Sequence, residues 1–260
     1  MHEIDKKINE VDLFCIIKLA DPEFFNYIKK RGKKVVYDIL DCWAQPKHDI
    51  ALNSLNRTRQ FFIDRLGEIK LDGVIFSNKL MHEDFSYLVS NSTYIYHHYW
   101  PILKPIQIRE IATTVAYVGD VRFLGNWQHI LRRMCESLGM KFIALPGYTD
   151  NIDICVAVRG EPYNSIVAQR YKSNVKLANC YGAGIPCTMD YEQASYRETA
   201  IGSVLLFKDK DNLYHDLEQL KDYNYRRAIQ ESFLAHRHNY SVETIAKQYE
   251  NYFQGVLNAS

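Results

Sequence analysis

The chain has 260 residues, a length that suits one large or two small domains at roughly 150 residues each. With 47% hydrophobic and 24% charged residues, its composition excludes disordered, collagenous and disulfide-scaffold classes. The 32 Lys+Arg against 31 Asp+Glu leave a net charge of +1, which argues against broad nucleic-acid binding through phosphate neutralisation.

Short apolar runs rich in β-branched and aromatic residues recur along the chain. They predict strands at Leu13–Lys18, Lys34–Leu40, Gly73–Ser77, Tyr94–Tyr99, Thr114–Gly119, Lys141–Leu145, Ile154–Val158, Ile185–Met189 and Val204–Phe207. Runs that do not alternate suit strands covered on both faces. Between them, amphipathic spacing predicts helices at Glu23–Arg31, Leu52–Ile69, Phe85–Leu88, Trp127–Leu138 and Val175–Tyr181. Leu213–Leu220, Tyr223–Asn239 and Val242–Val256 follow, with Ser241 as the N-cap of the last. This alternation argues for parallel βαβ units. Pro101 and Pro105 mark a linker, which divides the chain into residues 1–105 and 106–260.

The 6 cysteines (Cys15, Cys42, Cys135, Cys155, Cys180 and Cys187) make no C-x-x-C pair and read as reduced, small apolar residues. The N-terminus lacks the apolar segment of a secretion signal, and no apolar stretch approaches the ~20 residues needed to span a bilayer. The expectation is a cytoplasmic protein, at most peripheral to a membrane. The basic run Lys29–Lys34 could meet anionic headgroups, although a helix end capped by Gly32 explains it better.

The most informative stretch is Tyr171–Pro186, YKSNVKLANCYGAGIP. It predicts a helix starting near Asn174, with Lys172 and Lys176 four apart on one face. A helix N-terminus favours anions, and the lysines reinforce that preference. A solvated basic face is the equally weighted alternative.

This stretch resembles the K-P-x-N-K-L-L-E-Y-M-A-A-G-L-P segment of GT-B glycosyltransferases, in particular the retaining family 4-like group. TVAYVGDVRFLGN is similar to the strand and glycine loop that open their donor domain, and MDYEQASYRETAIGSVLLFKDKDNLYHDL and HNYSVETIAKQYENYF resemble their closing segments. The resemblance implies an α/β fold of two Rossmann-like domains facing across a cleft, the N-terminal one reduced. It places Lys176 near a donor diphosphate and Asn179 where the second glutamate of E-x7-E meets the donor ribose. Tyr171 stands where the first glutamate belongs, so the motif is absent. Gly119 and Asp120 match the first donor-domain loop, and Glu198 falls near the acidic residue after the next strand.

Other residues come from their positions. His97 and His98 end a predicted strand at the crevice, where ligands of open α/β sheets bind, and only one of the two can face it. Asp38 and Asp41 end another strand and could face an acceptor, or serve as turn and cap. Arg159, after Ile154–Val158, could reach phosphate with its planar fork. Asp209-Lys210-Asp211 has a D-x-D metal pattern but reads as a turn, and His82-Glu83 lacks the second histidine of a zinc motif. Gly182-x-Gly184 precedes a strand, which disfavours a dinucleotide loop. No metal site is expected.

The implied function is transfer of a sugar from a nucleotide-sugar donor to a glycan, lipid-linked or other hydroxyl acceptor, with retention of configuration, without a metal and with no cofactor beyond the donor. His98 and Asp38 are the catalytic candidates, and Gly119, Asp120, Arg159, Lys172, Lys176, Asn179 and Glu198 the donor-binding ones. The alternative is a GT-B-like binding or partner subunit without transfer activity, in an oligomer or complex. A nucleotide-sugar epimerase of the same architecture is a weaker third.

Overall fold

A computed structural model describes residues 8–18, 22–40, 54–148 and 151–259; Asp41 and Cys42 lie outside them. The first unit runs β1 (Leu13–Ile17), α1 (Pro22–Lys29), β2 (Lys34–Asp38), α2 (Leu55–Gly67), β3 (Gly73–Phe76), α3 (Lys79–Phe85) and β4 (Ser92–Tyr94). Its four strands pair in the order β1-β2-β3-β4, all parallel. The second unit begins with β5 (Thr114–Val118), α4 (Trp127–Ser137), β6 (Lys141–Leu145) and β7 (Ile154–Ala157). It continues through α5 (Ile166–Tyr171), α6 (Val175–Ala183), β8 (Cys187–Asp190), α7 (Ala194–Thr199) and β9 (Leu205–Phe207). Its five strands pair in the order β6-β5-β7-β8-β9, also parallel. Helices α8 (Lys210–Gln219), α9 (Tyr223–His236) and α10 (Val242–Asn258) close the chain.

The non-alternating runs behave as covered strands should: every residue of β3 and β7 is buried. The two sheets thus lie on either side of the proline-marked stretch, each over its own apolar core.

Three details depart from the sequence reading. The strand expected at Tyr94–Tyr99 is β4, and it ends at Tyr94. Beyond it the backbone N–H groups of His97 and Trp100 bond to side chains of Asn174 and Asn179, and that of Tyr99 bonds to Tyr240 O. These residues are therefore strapped to the second unit instead of continuing the first sheet. Helices α3, α5 and α7 were not anticipated, because six or seven residues offer too short a periodic pattern. The helix expected at Phe85–Leu88 is a 3-10 turn, Ser86–Leu88, that extends α3.

The sequence reading counted the terminal helices with the second unit, yet α10 covers the first sheet. Its Ile245 and Val256 pack with Val36, Ile75 and Ile95. Ser241 caps it by accepting from Thr244 N. The Tyr252 hydroxyl donates to Val74 O and Asn91 O, and a β-carbon on Gly73 would lie 2.4 Å from that hydroxyl. Only glycine lets the helix come this close to β3. The chain thus crosses between units twice, and the crossings touch where Tyr99 N donates to Tyr240 O at 2.9 Å.

The basic run caps α1 as expected. Gly32 takes φ +72°, Lys29 Nζ meets Asp72 Oδ2 at 2.6 Å and Lys34 Nζ lies 3.8 Å from Asp72 Oδ1. Among the described residues no helix is long and apolar enough to cross a membrane.

Candidate functional site

Helix α6 starts at Val175, with Asn174 as N-cap, and ends at Gly184, whose left-handed φ of +63° lets its N–H return to Cys180 O and Tyr181 O. The Lys176 side chain runs back from its first turn to the end of β5. Its Nζ donates to Val118 O and lies 4.1 Å from the centre of the Tyr117 ring. Gly119, at φ +144°, is the residue that makes room: a β-carbon there would sit 2.7 Å from Lys176 Nζ. Burial depresses the Lys176 ammonium to about 8.

Arg159 emerges after β7, half-buried, its guanidinium 4.7 Å from the Phe123 ring centre. Its Nη1 is buried with no hydrogen-bond partner among the described residues, and the same holds for the Tyr117 hydroxyl and Asn174 Nδ2. Tyr117 and Asn174 are each 0% exposed, and Lys172 is 7% exposed. Burial pushes the Tyr117 phenol up to about 12. The ends of β5 and β7 and the start of α6 therefore gather Lys172, Lys176 and Arg159 at a helix N-terminus, an arrangement that attracts an anion. Asp120 is engaged locally. Its carboxylate caps the short 3-10 helix Val121–Leu124 and pairs with Arg122 at 2.5 Å.

Several sequence candidates are committed elsewhere. Asn179 Oδ1 accepts from Trp100 N at 2.7 Å, which turns this residue to the linker. Both carboxylate oxygens of Glu198 are taken: Oε1 accepts from Leu80 N, and Oε2 from Lys79 N and the Tyr96 hydroxyl. Glu198 thereby caps α3 of the first unit. Tyr171 lies in the first unit's core against Phe62 and Phe85 and donates to Asp84 Oδ2 at 2.7 Å. The N–H of Gly119, a donor-binding candidate by resemblance, donates to Leu145 O at 2.7 Å.

The two catalytic candidates are apart. Asp38 is 2% exposed beneath α10, where Oδ2 accepts from the Tyr249 hydroxyl at 2.6 Å. Burial raises it to about 6 against that opposing bond. His98 lies on the linker, half-buried, with Nδ1 2.7 Å from Tyr99 O. A carbonyl only accepts, so Nδ1 carries the proton and Nε2 of a neutral ring keeps its lone pair.

Asp209 accepts from Asn212 N at 2.8 Å as the N-cap of α8, so the D-x-D pattern is a helix start. Tyr117 and Asn174 were not among the sequence candidates, because nothing local shows that a strand tyrosine or a capping asparagine ends unpaired.

No protein-family model matches the chain, and no curated protein sequence matches it. Solved structures do match. Sucrose-phosphate synthase from Thermosynechococcus elongatus superposes with a TM-score of 0.67 at 14% identity, covering 100% of this chain and 77% of that one. TarM superposes at 0.64 and 12% identity, covering 97% of this chain and 57% of that one. A DNA-modifying β-glucosyltransferase gives 0.52 at 11% identity, with 97% and 83% covered. The fold is that of the GT-B glycosyltransferases, as the sequence resemblance implies.

Proposed function

We propose that this chain is a glycosyltransferase that moves a sugar from a nucleotide-sugar donor to an acceptor hydroxyl. The observation that carries the reading is the convergence of Lys176, Arg159 and the α6 N-terminus at the ends of β5 and β7. The neighbours add nucleotide chemistry: the β-glucosyltransferase was solved with uridine diphosphoglucose, and S. aureus TarM with UDP.

In this reading the bond between the anomeric carbon and the diphosphate breaks, and its electron pair leaves on the diphosphate. Lys172, Lys176 and Arg159 stabilise the charge that develops there, the largest electrostatic contribution available to such a step. The acceptor oxygen bonds to the anomeric carbon, and its proton passes to His98 Nε2 or to the departing diphosphate. Retention of configuration, independence of metals and the absence of a further cofactor belong to the same proposal. So does an acceptor that is a glycan or a lipid-linked hydroxyl.

The test is release of nucleoside diphosphate from a panel of UDP-, GDP- and ADP-sugars with added acceptors. Release by wild type, lost in Lys176→Ala, is expected. No release and no binding of any donor would overturn the reading.

A second reading is favoured by Asn179, Glu198 and Tyr171, which serve structure where the family resemblance offers donor contacts. The chain would then bind a nucleotide sugar or a partner without transferring the sugar. The Gap123 complex of Streptococcus agalactiae shares the fold, with a TM-score of 0.52 at 7% identity. Donor binding without turnover would select this reading.

A further inference from the structure

We propose that Tyr117 and Asn174 bind phosphate: the Tyr117 hydroxyl and Asn174 Nδ2 donate to phosphoryl oxygens of a nucleoside diphosphate held between the end of β5 and the start of α6. The proposal rests on the donor-site reading above and adds the neutral groups that would recognise the diphosphate.

Buried polar atoms without a hydrogen-bond partner are rare, and each calls for a physical explanation. Here the Tyr117 hydroxyl, Asn174 Nδ2 and Arg159 Nη1 are three of them. Two others, Arg65 Nε and Arg170 Nε, belong to guanidiniums held by ion pairs, Arg65 Nη1 with Glu68 and Arg170 Nη2 with Asp84. Tyr117 and Arg159 lie beside Lys176, and Asn174 caps the helix that carries Lys176. Tyr117 Oη is 3.4 Å, and Lys176 Nζ 2.7 Å, from where a Gly119 β-carbon would be. Asn174 stands one turn or less before Lys176, at the mouth of α6, with its Oδ1 already accepting from His97 N at 2.9 Å.

The chemistry of these atoms selects the ligand. Nδ2 and Nη1 only donate, and a phenol held protonated by burial donates at neutral pH. The partner must therefore offer acceptor oxygens. Three cationic side chains (Lys172, Lys176 and Arg159) and the helix dipole add positive charge, while the Asp120 carboxylate is paired with Arg122. That balance fits a diphosphate better than a carboxylate or a sugar hydroxyl.

Two near-isosteric variants test this, with UDP, GDP, ADP and inorganic pyrophosphate as probes in calorimetric titration and thermal unfolding of the full chain. Tyr117→Phe removes one oxygen that has no internal partner, so Tm should hold or rise. Asn174→Asp keeps the acceptor for His97 N–H and places a favourable charge at a helix start, so Tm should again hold. Both should weaken diphosphate binding roughly ten- to a hundredfold, the range of a hydrogen bond to a charged group. A diphosphate that binds wild type and either variant equally would overturn the proposal while leaving the donor reading standing. Pyrophosphate bound as tightly as the nucleotides, and weakened by both variants, would sustain the phosphate site and overturn the nucleotide. Wild type that binds none of the four probes would overturn both.

Discussion

The backbone N–H of Trp100 donates to Asn179 Oδ1 across 2.7 Å, so the side chain that the family resemblance sets opposite a donor ribose holds the linker to α6. Three more bonds reinforce that strap: His97 N to Asn174 Oδ1, Ile106 N to Ala183 O and Gln230 Nε2 to Ile106 O. Gly182 belongs to it too, since a β-carbon there would meet the Tyr99 ring at 2.5 Å.

Asn179→Ala should therefore act on stability first. Leaving the Trp100 N–H unpaired costs about 1–3 kcal/mol, or a Tm fall of roughly 2–4 °C per kcal/mol in a chain of this size. UDP affinity should change by less than about threefold, well below the effect of Lys176→Ala. Differential scanning calorimetry and UDP titration on the same sample check this. A large affinity loss at unchanged Tm would return Asn179 to the ribose.

Lys176 gives the site a pH signature. Its ammonium titrates at about 8 in the fold because burial disfavours the charge, against an ordinary value of 10.5. An anionic ligand needs the protonated form, so affinity for the fully ionised diphosphate should be flat from about pH 7 to 8 and fall about tenfold per unit above that. In Lys176→Met the slope should vanish. Stability moves the other way. Between pH 8 and 10.5 the unfolded chain holds a proton that the folded chain has lost, so this residue makes stability rise with pH across that window. Urea unfolding at pH 8 and pH 10, wild type against Lys176→Met, reads the sign.

Asp38 should behave as a buried structural acid. It titrates at about 6 in the fold against an ordinary 3.8, because burial outweighs the Tyr249 hydrogen bond. Between those values the folded chain holds a proton that the unfolded chain has lost, so stability falls as pH rises through the window. Asp38→Asn should be near-neutral at pH 4 and stabilising by about 1–3 kcal/mol at pH 7.5. Chemical denaturation at the two pH values measures it. Abolished turnover in this stabilised variant would restore Asp38 as a catalytic residue.

Asp84 clasps the two units together. It accepts from Arg59 at 3.0 Å, Arg170 at 2.6 Å and the Tyr171 hydroxyl at 2.7 Å. Burial works to raise its carboxyl, but the bonds from Arg170, Tyr171 and Arg59 hold it below the ordinary range. Its stabilising contribution is thus present above the ordinary carboxylate pKa and lost as pH falls through the depressed value. Asp84→Ala strands partly buried Arg170 and Tyr171, at a cost of about 2–4 kcal/mol. We expect unfolding to separate into two calorimetric transitions, since the clasp joins α3 of one unit to α5 of the other. A single transition at the wild-type Tm would show that the clasp is not what couples them.

The two parallel sheets were legible in the sequence because covered strands write themselves as unbroken apolar runs such as ICVAV and GVIFS, a property of each segment alone. The same is true of α6, whose terminal Gly184 has to adopt a left-handed backbone, and of Ser241 as a cap, since it bonds an N–H three residues away; Asp209 reads as a turn in sequence and is a helix cap in the structure. Lys176 and Arg159 stand out as candidates by charge and position. The partners of Asn179 and Glu198 were not legible, because Trp100 lies 79 positions from one and Lys79 lies 119 positions from the other. Nor did any local pattern show that Tyr171 would enter the first core, or that α10 would return to the first sheet. Periodicity reports which face of a segment is apolar. It says nothing of what packs against that face, and a hydrogen-bonding side chain takes its role from whichever group the tertiary fold brings within about 3 Å.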